Sequence, residues 1–316
     1  MLLLGVVAVA AAITVPRLVG GEARGQFEAA LEGEAGAPAG TAGWERLRAG
    51  PMRGDPVEVA VWTGKEVVLW GDGGGAAFDP GTRSWRSIAD PPISPLGRAA
   101  GDWTDEALAV VAFGCAAGDP CDDPSWRAAA YDPAADRWRT LAPPPLPDPA
   151  GPTTLDAVWT GDRLLVLAGE RSVAYEPGTD RWDPRTATVP VESVQPSLLA
   201  ADARVELWDG RSGPSDTTSF SVTVHDGAER RWGHPLPPLP SPVPPGPRSL
   251  TVVGDQVVAL AGTTAVAYER AANAWGTLPD LPVALGDHLA VWTGDELLVA
   301  GVDSDGHTLA LSYRAG

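Results

Sequence analysis

The sequence has few positively charged residues, and this scarcity excludes a first class of partners. Lysine and arginine together number 23 against 41 aspartate and glutamate residues, so the formal net charge is -18. Nucleic-acid recognition needs clustered Lys and Arg side chains that meet phosphates. Anionic membrane surfaces attract basic segments in the same way. We therefore expect no nucleic acid as a partner, and the charge disfavours an anionic membrane surface.

Cysteine and histidine are also scarce, with two and four residues. Cys115 and Cys121 lie close in sequence, and no His or further Cys stands beside them, so we expect no metal site there. In an exported protein this pair predicts a local disulfide. The chain also lacks the G-x-S-x-G, Walker and HExxH motifs. We expect no cofactor, and the sequence identifies no catalytic residue.

The N-terminus has an uncharged run, Leu2 to Val15. A membrane-spanning helix needs about 20 apolar residues, whereas a secretory h-region needs only about 7–15. Residues 1–21 are therefore predicted to be a signal peptide or an uncleaved membrane anchor, and residues 22–42 a flexible tether. Both interpretations place the remaining chain outside the cytoplasm, either secreted or anchored to the cell membrane by this segment.

What the chain has in abundance is 37 Gly, 32 Pro and 13 Trp residues, a composition that favours many turns. One motif recurs: an aromatic residue or His precedes a Trp by seven positions. Its five complete copies are Phe78/Trp85, Tyr131/Trp138, Tyr175/Trp182, His225/Trp232 and Tyr268/Trp275. A repeat at fixed spacing predicts a repeated structural unit.

Upstream of each copy is a pair of short apolar runs joined by a tight turn, which predicts a β-hairpin. The six such segments are 59–71, 100–114, 156–169, 198–210, 250–262 and 289–301. Two hairpins per unit give four antiparallel strands, and radial repetition of four-stranded sheets is typical of a β-propeller. We predict an all-β, six-bladed propeller over residues 43–316.

The last copy of the motif is incomplete, because Tyr313 is followed by only three residues. The pattern W-x-x-L/I, which begins at Trp85, Trp138 and Trp275, occurs once more at Trp44–Leu47. We predict that this segment is the outer strand of the last blade and closes the ring, because closure removes exposed sheet edges.

These motifs resemble the kelch-repeat family, in particular its six-bladed propellers and the galactose-oxidase-type propeller domain. The resemblance implies the fold and leaves function open, because propellers carry unrelated activities. Copper radical oxidases of this type need Tyr and His ligands, but all four tyrosines here occupy repeat positions, which disfavours that activity. Sugar-ring opening, as in kelch-type sialic acid mutarotases, stays open as an alternative.

Loop lengths give the functional prediction. The connections from second to third strand and between blades vary widely and emerge on one face, and function concentrates in such loops. Arg98 and Arg248 precede first strands and are expected to bind a carboxylate or sugar. The full set of candidate ligand-binding residues is Arg98, Arg171, Arg248, Asp287, His288, Asp303, Asp305 and His307.

The resulting hypothesis is a monomeric binding module for a protein or a carbohydrate, acting through this face. Its alternative is a sugar-acting enzyme with its site at the mouth of the channel.

Overall fold

The computed structural model describes residues 43–48, 50–52, 57–71, 74–147, 154–183, 187–188, 197–201, 204–212, 218–225, 230–231, 248–286, 288–302 and 308–314. These ranges contain strands and turns and no helix. Short apolar runs rich in Val, Leu and Ala, separated by Gly and Asp turns, account for this because they favour strands over helices. The predicted N-terminal segments 1–21 and 22–42 lie outside the described residues.

The strands follow one another in groups along the chain. The N-terminal strand and the first two groups are β1 (Gly43–Arg46), β2 (Val59–Trp62), β3 (Val67–Gly71), β4 (Gly74–Asp79), β5 (Ser84–Ser87), β6 (Ile93–Trp103), β7 (Leu108–Ala116), β8 (Ser125–Asp132) and β9 (Arg137–Leu141). The third and fourth groups are β10 (Leu155–Trp159), β11 (Leu164–Ala168), β12 (Arg171–Glu176), β13 (Arg181–Trp182), β14 (Ala187–Thr188), β15 (Ser197–Ala201), β16 (Arg204–Ser212), β17 (Thr218–His225) and β18 (Arg230–Arg231). The last two are β19 (Arg248–Val253), β20 (Gln256–Ala261), β21 (Thr264–Glu269), β22 (Ala274–Thr277), β23 (His288–Trp292), β24 (Leu297–Val302) and β25 (Thr308–Arg314).

Consecutive strands pair antiparallel, and within the described residues they form sheets with the orders β2-β3-β4-β5, β6-β7-β8-β9, β10-β11-β12-β13, β15-β16-β17-β18, β19-β20-β21-β22 and β1-β25-β24-β23. The first strand of each group is innermost. Each innermost strand contacts the innermost strands of the two neighbouring sheets, in the order β2, β6, β10, β15, β19, β23 and back to β2. The sheets are therefore blades around a common axis, and the fold is a β-propeller.

Five of these sheets have the four strands that the sequence predicts, and one does not. β14 pairs with β12 and gives the third sheet a fifth strand. The outer strand β13 has only two residues, so it leaves Arg171 and Ser172 of β12 for β14 to pair. An open strand edge favours such additional pairing. The prediction of uniform four-stranded blades is wrong for this sheet.

The fourth sheet departs from the predicted repeat in another way. His225 pairs with Arg230 in the β17–β18 ladder, five positions on, whereas Tyr175 pairs with Trp182, seven positions on. The spacing of this ladder therefore differs from that of the other blades, and Trp232 lies outside the described residues.

The hydrophobic cores lie between neighbouring sheets. In the described part of the chain, each of six clusters of buried residues combines side chains from two sheets. One such cluster joins Leu69 and Phe78 of the first sheet to Leu298 and Ala310 of the sheet that contains β1. A single sheet cannot bury both of its faces, so burial between blades stabilises the whole arrangement.

The tryptophans of the outer strands connect each blade to its neighbour. In four of them the indole Nε1 donates a hydrogen bond to a carbonyl just after the outer strand of the preceding sheet, which we call an indole bridge. The bridges run from Trp44 to Pro279, from Trp85 to Arg48, from Trp138 to Ala89 and from Trp182 to Ala142, at 2.7–2.9 Å. Trp44 also pairs with Tyr313, with ring centroids 5.2 Å apart. β1 therefore has the same contacts as the outer strands β5, β9 and β13.

The turn between the third and fourth strands is stabilised by the repeat aromatic itself. Tyr131, Tyr175 and Tyr268 donate a hydroxyl hydrogen bond to the side chain five positions on, at 2.5–2.8 Å. The acceptors are Asp136, Asp180 and Asn273, all with positive φ, a conformation that Asp and Asn tolerate better than most residues. Where the aromatic is Phe78, which has no hydroxyl, this position is Arg83, whose guanidinium lies over the Phe78 ring.

Candidate functional site

The innermost strands determine where a site can form. They enclose the channel of the propeller, and their first residues lie at the end where the chain enters from the preceding blade. We call this end the loop face, because the variable connections also emerge there. Four positions of the predicted site, Asp287, Asp303, Asp305 and His307, lie outside the described residues. Arg248 begins β19, but its side chain is outside the description.

Arg98 lies on the loop face, although not in the predicted setting. The sequence suggested that it precedes the first strand of its blade, but β6 begins at Ile93, so Arg98 stands inside the strand. Pro95 pairs with Gly114 and Ala99 with Ala112, and the register shifts between them. Arg98 therefore belongs to a β-bulge, and its side chain is exposed.

Arg171 and His288 are not joined to Arg98 by any contact that the structure describes. Arg171 is exposed at the start of β12, where it pairs with Ala168 and Thr188. His288 is only 3% exposed. Its ring nitrogens lie 2.7 Å from the Gly286 carbonyl and 3.3 Å from the Leu260 carbonyl. In this arrangement His288 connects two blades through main-chain carbonyl groups.

Sequence reasoning missed two carboxylates on the innermost strands, Asp102 of β6 and Asp156 of β10. Asp102 Oδ1 accepts from the amide of Trp103 at 2.7 Å, and Oδ2 accepts from the amide of Trp159 in the next blade at 2.7 Å. Asp156 repeats this arrangement one blade further on. Its two oxygens accept from the amides of Ala157 at 2.8 Å and Leu198 at 2.6 Å.

The physical reason for these bonds is the free edge of an innermost strand. In the described sheets an innermost strand pairs with a strand on one side only, so its other edge presents amide groups that need partners. Glu58 and Ser249 supply the same kind of bond, to the amides of Ala99 at 3.3 Å and Ala290 at 2.8 Å. Polar side chains on the innermost strands thus connect neighbouring blades.

The two aspartates are unusual because their carboxyl groups are desolvated, although each residue keeps some exposed surface. Burial raises the pKa of Asp102 to about 6, and the backbone amides of Trp159 and Trp103 oppose this shift. Burial likewise raises the pKa of Asp156 to about 7, with hydrogen bonds from Leu198 and Ala157 opposing it. The charge of Asp102 raises the pKa of Asp156 further, and the charge of Arg98 lowers it. Asp102, Asp156 and Arg98 therefore form one electrostatically connected group.

These raised pKa values determine how the free energy of unfolding depends on pH. An unfolded aspartate titrates near pH 3.9, at about its reference pKa. Because Asp102 and Asp156 titrate near 6 and 7 in the folded protein, the folded state holds more protons than the unfolded state between these values. The free energy of unfolding therefore falls as the pH rises from about 4 to about 7. In the same range a carboxyl group can donate or accept a proton.

The groups at this site can both donate and accept hydrogen bonds to a ligand. A guanidinium donates several N–H groups in a fixed plane, and a carboxylate has about four lone-pair positions, of which the amides described above use only some. Asp156 is the second residue of β10 and Arg98 directly precedes the regular part of β6. Both therefore lie towards the loop face, while Asp102, next to the last residue of β6, lies towards the other end.

The variable connection of the second blade is fastened covalently. Cys115 at the end of β7 and Cys121 in the β7–β8 connection form a disulfide. Phe113 packs against Trp126 below it, with ring centroids 5.5 Å apart. This connection is therefore held next to the bulge that carries Arg98.

Neither a cluster of metal ligands nor a membrane-spanning helix is present among the described residues. In the ranges that the structure describes, no three His, Cys, Asp or Glu side chains come together as a metal site would require. The same ranges contain no helix with the length and apolar character needed to cross a bilayer.

Comparison with known proteins supports the fold. No protein-family model matches the chain, and no curated protein matches it in sequence. Among solved structures, the chain is similar to that of YjhT with a TM-score of 0.64 and 12% sequence identity, over 84% of this chain and 95% of that one. At this identity the similarity shows the propeller fold alone.

Proposed function

We propose that the protein is an extracytoplasmic binding module that binds a carbohydrate at the loop-face end of its channel. One observation carries the proposal: Arg98 of β6 and Asp156 of β10 lie at the same end of two innermost strands that contact each other, and the charge of Arg98 lowers the pKa of Asp156. Polar groups that converge inside a concave, partly desolvated region of a rigid scaffold are typical of ligand sites.

The ligand chemistry follows from these two groups. Neighbouring hydroxyls of a sugar can accept from a guanidinium and donate to a carboxylate at the same time. The net charge of -18 repels anionic ligands at long range. We therefore favour a neutral glycan, bound by a monomer, over an acidic one or a nucleic acid.

The location outside the cytoplasm rests on two features. The apolar run Leu2 to Val15 has the length of a secretory h-region. The Cys115–Cys121 disulfide is of a kind that persists in oxidising compartments. Whether the segment is cleaved or anchors the protein to the cell membrane, the proposal places the propeller on the outside.

The same proposal takes the sheets as six blades of a closed, kelch-type ring, with β1 as the closing strand. The register of β1 against β25 supports this, because Trp44 stands opposite Tyr313 as Trp182 stands opposite Tyr175. The contact between β2 and β23 supports it too. A closed ring fixes the positions of the innermost strands and hence of Arg98 and Asp156.

Isothermal titration of the propeller against neutral disaccharides (cellobiose, maltose, lactose and xylobiose) tests the proposal. We expect at least one to bind and Arg98→Ala to weaken its binding about tenfold or more, the usual cost of removing a hydrogen bond to a charged group. Arg137→Ala removes an exposed arginine at the start of the outer strand β9 and should leave affinity within about twofold. If no sugar binds, or if the two variants behave alike, the proposal fails.

A sugar-acting enzyme is the second candidate, because Asp156 has a pKa of about 7 and Asp102 of about 6. General acid–base catalysis, which the opening of a sugar ring requires, works best near such values. The titration samples serve for this test as well: exchange between anomers is followed by NMR in wild type and Asp156→Asn. Exchange no faster than in buffer rules out the enzyme and leaves the binding module.

A further inference from the structure

The β-bulge in β6 is the feature that the proposed function does not yet use. Three residues, Leu96, Gly97 and Arg98, stand between the paired positions Pro95 and Ala99, while the partner strand β7 has only Phe113 between Gly114 and Ala112. Among the strand pairs that the structure describes, this one alone has a register shift. β6 is the innermost strand and pairs with β7 along one edge only. No strand of the sheet therefore covers the additional residues along the opposite edge.

The bulge displays an apolar side chain. Leu96 is 53% exposed, and no other large hydrophobic side chain in the described ranges is as open to solvent. Gly97, with φ of 103°, provides a backbone conformation that other residues rarely adopt, and a side chain there would meet only open space. An exposed leucine elsewhere on a surface would carry no conclusion. This one is two residues from Arg98, in the same bulge of an innermost strand.

The segment is also held in place from both sides. Ile93–Pro95 pairs with Gly114–Ala116 beyond the bulge, and Ala117 donates to the Pro92 carbonyl at 3.0 Å. On the other side the amide of Ala99 is bonded to Glu58. The disulfide at Cys115 lies in the paired segment of β7. Little ordering is thus left to occur when a ligand binds, which favours affinity.

We propose that Leu96 is a specificity-determining residue of the channel-end site, where it packs against the apolar C–H face of a pyranose ring whose hydroxyls bond to Arg98 and Asp156. Bulges beside functional sites commonly redirect a side chain in this way. The pairing of one apolar contact with a few polar ones selects a closed ring over an open polyol with the same hydroxyls. This inference rests on the proposed function, since it assigns the ligand's shape at that same site.

The experiment compares two probes on the full propeller: the panel disaccharide that binds wild type most tightly, and sorbitol, an open chain without a ring face. Leu96→Ser should weaken disaccharide binding about fivefold, the loss expected when roughly half a leucine side chain no longer becomes buried. Leu96→Met, which keeps the apolar surface, should stay within about twofold. Sorbitol binding should be the same in all three proteins. Because Leu96 is exposed, neither variant should change the unfolding midpoint.

The outcomes separate the two proposals. If Arg98→Ala weakens the disaccharide and Leu96→Ser does not, the role of Leu96 is refuted and the binding site stands. If Leu96→Ser weakens sorbitol as much as the disaccharide, Leu96 does not recognise a ring and the inference is again refuted. If neither Leu96→Ser nor Arg98→Ala has an effect, or if no disaccharide binds wild type, the proposed function fails and this inference fails with it.

Discussion

Replacing Trp44 by Ala tests whether β1 is a blade strand like the others. Trp182 in the third blade offers a matched comparison, because the two residues make the same contacts. Trp44 stacks on Tyr313 with centroids 5.2 Å apart and bonds to Pro279 at 2.8 Å, and Trp182 stacks on Tyr175 at 5.1 Å and bonds to Ala142 at 2.7 Å. Because the contacts are equal, Trp44→Ala and Trp182→Ala should lower the free energy of unfolding by equal amounts.

The magnitude can be built from these contacts. The indole hydrogen bond contributes about 1 kcal/mol, and the aromatic pair about 1 kcal/mol beyond its buried area. Both tryptophans are half-buried, so removing the ring costs somewhat less than in a full core, for a total of about 3 kcal/mol in each variant. Trp44→Phe keeps an aromatic ring without the indole N–H and should cost about 1 kcal/mol.

Urea unfolding followed by far-ultraviolet circular dichroism measures these losses without relying on the fluorescence of the 13 tryptophans. Two N-terminal truncations make the same test on the backbone: removing residues 1–48 should destabilise the propeller far more than removing 1–40. A Trp44→Ala cost below about 1 kcal/mol beside a Trp182→Ala cost near 3 kcal/mol, or equal midpoints for the truncations, would refute β1 as the closing strand.

Two other predictions concern the interior. Raising the pH from about 5 to 8 should lower the free energy of unfolding by on the order of 4 kcal/mol through Asp102 and Asp156. Urea unfolding across this range should show that Asp156→Asn removes more than half of this pH dependence, and an unchanged pH dependence contradicts the assignment. Gly114→Ala should cost about 3 kcal/mol, because its Cβ would stand 2.2 Å from the Ser94 carbonyl oxygen, whereas Gly178→Ala, which meets nothing within 4 Å, should change thermal stability little.

The blades could be predicted from sequence because each one repeats the same local requirement. The spacing from Tyr175 to Trp182 is the distance around one tight turn, so the pattern identifies strands, register and the position of Trp44 together. The structure differs from the prediction where the local sequence pattern does not determine which strands pair. β14 pairs with β12 because β13 is short, and a two-residue strand has no pattern of its own.

The site was less accessible to sequence reasoning, because its residues belong to strands rather than loops. Asp102 and Asp156 replace apolar residues in first strands that elsewhere read VAVW or LAVW. This substitution was the available signal, since a carboxylate in an apolar strand needs a partner. Arg98 is a candidate on sequence grounds and stays one, but its bulge could not be predicted, because a shift of register depends on the partner strand β7. His288 was chosen for its chemistry, which does not reveal the carbonyls of Gly286 and Leu260 around it.

The hydroxyl bond in the repeat turn has a consequence for how such blades change over time. Tyr175 and Asp180 satisfy each other, and Phe78 and Arg83 are compatible through a different attraction. Either residue of a pair, exchanged alone, leaves a hydroxyl without its acceptor or an acceptor without its donor. The two positions should therefore change together in evolution. In a transplanted or recombined blade, the unit to be moved is the pair with its turn, not the aromatic residue alone.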